Sequence, residues 1–406
     1  MVVTVRAMLG SRVIVWGAGL LALALFGPKL AVSSAMDAGH LTDPFSSSAL
    51  NFAFAPGARW DSVWYLGIAH GGYFSRGSSA FFPLYPMLIR LGTIPFGSSP
   101  LIVGLLISVM SMTAGLYLLY LLSRLDLGDT QARSTVMLVA FFPTALFLSA
   151  VYTEALFLML SVGAIYAARL DRWAWAGLLG GLAGATRSGG VVILLPLVLL
   201  YLYGPRAGAS LRAATSWRRP RYRVTGSAAW LLLVPAGLLA YLGYLAVVHH
   251  APLAPFQAEA EWGRQFAGPF GGIVKAIEAV PVDLRLGVTG RSAVSGAADP
   301  IGWTTHNLID MVFVGFAAAG LVFSWRRVPF AYFVYAFALL AQALSYPTSI
   351  EPLESFPRYL LVIFPVFMGW GAHLGERPRM NRRVLAASAL GLAGFSALWA
   401  IWGWVA

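Results

Sequence analysis

Asp61 lies in the stretch Arg59-Trp60-Asp61-Ser62-Val63-Trp64-Tyr65-Leu66, a polar segment that follows the first membrane-length apolar run. A carboxylate set among an arginine and aromatic rings can take a proton from a hydroxyl as a general base. An ionisable group at a membrane boundary is costly to bury and marks a functional site. Asp61 is therefore the candidate catalytic residue. Arg59, Trp60, Tyr65, His70 and Tyr73 share its cluster as binding candidates. An aspartate here could also cap an interfacial helix inside an aromatic belt.

Four further clusters carry chemistry. Phe141-Phe142-Pro143-Thr144 leads to Tyr152-Thr153-Glu154, where Tyr152 and Glu154 are substrate-binding candidates. In Thr186-Arg187-Ser188-Gly189-Gly190 the glycines allow a close backbone approach, and Arg187 offers a permanently charged fork suited to phosphate, with Ser188 beside it. Glu351-Pro352-Leu353-Glu354-Ser355-Phe356-Pro357-Arg358-Tyr359 supplies a second phosphate candidate, Arg358, next to Tyr359. Glu259-Ala260-Glu261-Trp262-Gly263-Arg264-Gln265-Phe266 suits recognition of a polar acceptor through Glu261, Trp262 and Arg264. His70 and Arg264 are secondary candidates for the phosphate or the acceptor.

No HExxH, GxSxG, Walker or paired Cys/His spacing occurs. With no cysteine at all, thiolate metal sites, disulfides and cysteine nucleophiles are excluded. No cofactor is expected. A divalent metal could be held only through Asp37, Asp43, Asp61 or Glu154, of which Asp37 and Asp43 read as solvated loop acids.

These residues must be positioned by membrane helices. The 406-residue chain is 59% hydrophobic and 11% charged, with a mean hydropathy of +0.74. A soluble domain carries roughly 25% charged residues. Spans are expected at 12–32, 101–122, 134–149, 152–168, 173–187, 190–204, 228–248, 302–324, 328–346, 358–375 and 384–405. The fold class is thus an all-α polytopic bundle of about eleven transmembrane helices. The whole chain, 1–406, forms one membrane-embedded domain with extracytoplasmic loops at 33–100 and 249–301. Residues 80–98 are apolar, yet Pro83, Pro86, Pro95 and Arg90 favour a helix lying along the interface.

With the N-terminus placed in the cytoplasm, the inner segments collect Arg6, Arg12, Arg124, Arg133, Arg169 and Arg172. They also collect the arginines of 205–225, Arg326, Arg327, Arg377, Arg379, Arg382 and Arg383, as the positive-inside rule expects. Of the acids, only Asp126, Asp129, Asp171 and Glu376 fall inside. The net charge of +12 reflects this bias and not nucleic-acid binding, because no basic stripe alternates with stacking aromatics. Asp61, Glu154, Arg187, Arg264 and Arg358 all fall on the extracytoplasmic face of a multi-pass cell-membrane protein.

The series RWDSVWYLGIAHGGY, AFFPLYP, FFPTALFLSAVYTEALFLML, GATRSGG and FPRYLLVIFPVF resembles the PIG-V-like mannosyltransferases of the GT-C superfamily. The matching pieces run in order from about residue 59 to 367. The cysteine-free, Ala/Gly/Arg-rich composition suggests a bacterial member. The resemblance implies a GT-C-like bundle with interfacial helices in the first outer loop and a polyprenyl-phosphate-linked sugar as donor. It implies a catalytic role for the acid of that loop, which falls on Asp61. On this reading mannose moves to a lipid or glycan acceptor hydroxyl, with membrane lipids as further partners. The alternatives are a lipid-linked-sugar flippase or polar-solute transporter, and a non-catalytic scaffold subunit. Transporters show internal pseudo-symmetry and mid-membrane charges, and the chain has no convincing repeat.

Overall fold

The computed structural model describes residues 1–95, 99–207, 220–289, 303–349 and 351–405, among which there are helices and no strand. Arg212, Arg218 and Arg219 of the inner loop, residues 290–301 of the second outer loop and residues 96–98 of the interfacial segment lie outside the described residues. Among the described residues, five helices are long and apolar enough to cross a membrane: Val2–Phe26, Pro100–Leu127, Gly226–His249, His306–Ser324 and Pro378–Ala400. Ser188–Tyr203 and Phe330–Ala343 are shorter apolar helices.

Prolines and glycines move several boundaries from their expected places. The first helix ends at Phe26 instead of continuing to 32, because Gly27 turns to φ 66° and Pro28 follows. The expected span 134–149 is divided between the helix Asp129–Ala140 and a short 3-10 turn, Ala145–Leu148. Pro143 sits in the break and disfavours helix in the residue before it. The expected span 358–375 is two helices, Phe356–Leu361 and Phe364–Leu374. Pro365 has no N–H to donate and would clash with the carbonyl of Leu361. This break gives Arg358 a short helix of its own.

Within the first outer segment, Leu84–Thr93 has ten residues. At 1.5 Å per residue that is about 15 Å, half a hydrocarbon core of about 30 Å, so it cannot cross. The second outer segment was expected as a polar loop but holds the helices Ala254–Glu261 and Gly271–Thr289. Gly271–Thr289 turns Gly271, Gly272 and Ala276 inward at near-helical spacing.

Pro100–Leu127 packs on Glu154–Arg169, which packs on Trp173–Gly184, and this in turn on Leu233–His249. On the other side Trp303–Ser324 packs on Phe364–Leu374, which meets Asp129–Ala140. The first and last described helices, Val2–Phe26 and Pro378–Ala400, lie against each other.

The contact between Trp173–Gly184 and Leu233–His249 rests on small residues. Gly177, Gly181 and Gly184 repeat along one face, as in small-xxx-small membrane packing. A Cβ on Gly181 would come within 2.5 Å of the Leu233 carbonyl oxygen, and one on Gly237 within 1.9 Å of the Gly181 carbonyl oxygen. Backbone, not a movable side chain, occupies that space. Gly237→Ala is expected to destabilise the bundle by about 1–3 kcal/mol through overpacking, read as earlier loss of helical signal on heating. Arg187 follows directly on this helix, so the same packing fixes its origin.

Candidate active site

Glu154 opens the helix Glu154–Arg169, where the partial positive charge of the helix N-terminus favours a carboxylate. Its side chain is 1% exposed. Arg187 Nη1 donates to Glu154 Oε1 at 2.6 Å, and Arg358 Nε lies 3.5 Å from the same oxygen. Arg358 Nη1 in turn donates to Asp61 Oδ2 at 2.5 Å. Arg187, Glu154, Arg358 and Asp61 therefore form a run of alternating charges drawn from four remote segments. Alternation is what makes the burial tolerable, since each charge has an opposite neighbour.

Arg264 joins through Tyr359. The Tyr359 ring has the guanidinium of Arg187 at 5.1 Å, that of Arg358 at 5.3 Å and that of Arg264 at 5.7 Å. Three cations thus gather around one aromatic ring, each within cation–π reach. Arg264 also donates to the Glu354 carbonyl at 3.4 Å and lies 3.6 Å from Glu259. Burial raises the Glu354 carboxyl above the usual carboxylate range, although Arg264 opposes the shift.

Two bent backbone positions aim the central pair. Asp61 precedes the helix Ser62–Gly71, yet its carboxylate does not cap it, which leaves both oxygens for other partners. Its N–H donates to Tyr152 Oη at 3.0 Å. The preceding Trp60 has φ 51°, and Ser355, before the helix bearing Arg358, has φ 65°. Each left-handed non-glycine residue costs on the order of 1–3 kcal/mol and persists only when its surroundings hold it. Trp60 is held by its Nε1 donating to Gly403 O at 3.2 Å and by edge contacts with Trp402 and Trp404.

The other candidates separate into neighbours of this run and residues placed elsewhere. Tyr152 lies under Arg358, with the guanidinium 5.3 Å from its ring. The Tyr65 hydroxyl is 3.3 Å from Thr153 Oγ1, and Ser188 Oγ accepts from Gln342 Nε2 at 3.5 Å beside Arg187. Arg59 is buried and donates to the carbonyls of Ala55, Ala58 and Ala400 while stacking over Trp402. Its guanidinium thus ties the loop to the last helix. Arg59→Lys loses the planar fork that reaches several carbonyls, and should lower thermal stability by about 1–3 kcal/mol.

Tyr73 donates to Phe81 O at 2.8 Å and packs on Tyr241, Tyr244 and His249. His70 is exposed at the far end of Ser62–Gly71 and lines a surface cavity of about 470 Å³ with His40 and Asp43. Trp262 meets Trp64 edge-on at 5.6 Å, and exposed Glu261 lies 3.9 Å from Arg76.

Among the acids considered for a metal, Asp37 accepts from Leu41 N, Thr42 N and Thr42 Oγ1 at 2.7–2.8 Å and so ties the loop. Asp43 pairs with His40 at 3.1 Å.

Two polar residues, His306 and Asp310, escaped the sequence reading. His306 Nδ1 lies 3.7 Å from Glu351 Oε1, and Asp310, like both of these, is buried. His306 and Asp310 stand four apart in an apolar helix, a spacing that puts both on one face and would have flagged them. They lie behind the turn that leads to Arg358. At the opposite end of Glu154–Arg169, Arg169 pairs with Asp126, whose other oxygen accepts from Tyr332 at 2.9 Å. Sixteen helical residues, about 24 Å, separate this buried pair from Glu154.

Comparison with known proteins bears on the first part of the chain. The family model for mannosyltransferase (PIG-V) matches residues 20–202. GPI alpha-1,6-mannosyltransferase 2 of Mus musculus is 31% identical over 232 residues, covering 52% of this chain and 46% of the mouse protein. The Homo sapiens protein of the same name is 32% identical over 145 residues, covering 33% of this chain and 29% of that one. The chain thus spans half or less of the length of these curated relatives. Among solved structures, the Archaeoglobus fulgidus oligosaccharyltransferase in its apo form is similar with a TM-score of 0.45 and 15% identity, over 97% of this chain and 55% of that one. The residues 20–202 that carry Asp61, Glu154 and Arg187 are PIG-V-like, resembling that mannosyltransferase family in sequence.

Proposed function

We propose that this protein is an inverting glycosyltransferase of GT-C type that moves mannose from a polyprenyl-phosphate donor to a lipid or glycan hydroxyl on the extracytoplasmic face. The observation that carries this reading is the run in which a partly exposed carboxylate, Asp61, pairs with Arg358 while Arg358 and Arg187 share buried Glu154. The PIG-V-like sequence of residues 20–202 supports mannose as the transferred sugar.

The acceptor oxygen attacks the anomeric carbon from the face opposite the phosphate. As the new C–O bond forms, the bond from that carbon to the phosphate oxygen breaks, and the acceptor proton passes to Asp61. The phosphate leaves with one more negative charge and needs no proton from a second acid, so one carboxylate suffices where glycosidases use two. Arg187 and Arg358 neutralise that charge in a site where fixed donors act more strongly than in water. Tyr359 gathers the two guanidiniums and Arg264 around its ring. The donor's hydrocarbon tail lies between helices in the bilayer.

Purified protein incubated with radiolabelled polyprenyl-phosphate mannose and a membrane lipid extract should yield a new labelled product one hexose heavier than its acceptor. Movement of the label across vesicles without product would mean a flippase. Neither outcome would leave a scaffold.

A further inference from the structure

We propose that the Asp61–Arg358 ion pair is an exchangeable latch: the donor phosphate takes Asp61's place on Arg358, so that donor binding itself releases the base. This rests on the transferase reading above and adds an order of events to it.

The two carboxylates of the charge run are not equivalent. Glu154 is 1% exposed and pairs with both arginines, whereas the Asp61 side chain is 23% exposed and, among the described residues, pairs with Arg358 alone. Glu154 is the fixed counter-ion and Asp61 the replaceable one. The network is also incomplete. Glu154 Oε2 and Arg358 Nε are buried without a hydrogen-bond partner, the latter 3.5 Å from Glu154 Oε1. Buried polar atoms in a finished structural network are normally satisfied. A guanidinium with one N–H unsatisfied and another holding a replaceable carboxylate fits an anion with more oxygens than Asp61 offers, which a phosphate has.

The exchange has a chemical consequence. While Arg358 Nη1 donates to Asp61 Oδ2, that oxygen is occupied, and only its release leaves it free to accept from an incoming hydroxyl. In the resting state the base is therefore masked. The arriving phosphate engages Arg358 and Arg187, Asp61 swings free, and only then can an acceptor hydroxyl be deprotonated. Water entering the site before the donor meets no free base.

The test separates competition from support. If Asp61 competes with phosphate for Arg358, Asp61→Asn should bind polyprenyl phosphate about 2–5-fold more tightly than wild type, the worth of a partly exposed ion pair. Glu154→Gln should bind it more weakly. Affinities of the full chain in detergent are measured for polyprenyl phosphate and, as a control, for polyprenol. Asp61→Ala repeats the measurement should the asparagine variant fold poorly. Unchanged or weaker phosphate binding by the folded Asp61 variants, with wild type still transferring mannose, overturns the latch and leaves the transferase reading intact. Wild type that neither transfers nor prefers the phosphate to polyprenol removes the transferase reading itself.

Discussion

Asp61→Asn should lower mannose transfer by about 10²–10⁴-fold, the usual contribution of a positioned general base, while the protein still inserts and folds. The amide keeps the size of the carboxyl group but cannot take the acceptor's proton. The local frame does not depend on the carboxylate: the Asp61 N–H still reaches Tyr152, and Arg59 and Trp60 still anchor the loop to the end of the last helix. Arg358 keeps Glu154 as its second neighbour. Initial rates with labelled donor, alongside a thermal unfolding curve, separate chemistry from folding. A variant that turns over within about tenfold of wild type would remove Asp61 from the base role, because an amide has no comparable means of accepting a proton.

Glu154→Ala carries the second large effect. Its carboxylate is shared by Arg187 and Arg358, and the side chain is almost wholly buried. Removing one partner of a buried ionic network leaves uncompensated charge, at a cost of about 3–5 kcal/mol. Here both guanidiniums would lose their shared carboxylate, and Arg358 would keep Asp61. The expected result is a marked loss of heat stability together with loss of transfer, read from the helical signal and from donor turnover. Glu154→Gln keeps the volume and an acceptor oxygen, and should recover part of the stability. Equal stability of wild type and Glu154→Ala would mean that the two arginines find their counter-charge elsewhere.

Much of this arrangement was legible in the residues. The scarcity of charge and the repeated apolar runs required membrane helices, because a backbone in lipid must satisfy its own hydrogen bonds. The shortness of 80–98 and its prolines required something other than a crossing. Rare charges in apolar surroundings stood out because each is expensive, so Asp61, Glu154, Arg187 and Arg358 could be picked one by one. Charge bias put them on one face, and the ion pairs join them atom to atom.

Other features were hidden because local sequence does not say which way a side chain turns. Arg59 and Asp61 sit two residues apart, yet one guanidinium points into carbonyls of the last helix and the other group's carboxylate reaches Arg358. The left-handed turn at Trp60 separates these directions, and it is stabilised by Trp402, Trp404 and Gly403 from the opposite end of the chain. Tyr73 and His70, apparent companions of Asp61 by sequence, are carried away along the helix Ser62–Gly71 and its following turn. The breaks at Pro143 and Pro365 were written as proline in the sequence, but where the chain resumed depended on packing.

The sequence by itself determined the solvent this chain must live in and the few groups that could do chemistry there, since composition and the energy of burying charge are local properties. Only the tertiary structure decided which carboxylate faces which arginine, and that one of the two is sealed while the other stands open. That choice depends on contacts between segments hundreds of residues apart, and no spacing along the chain encodes it.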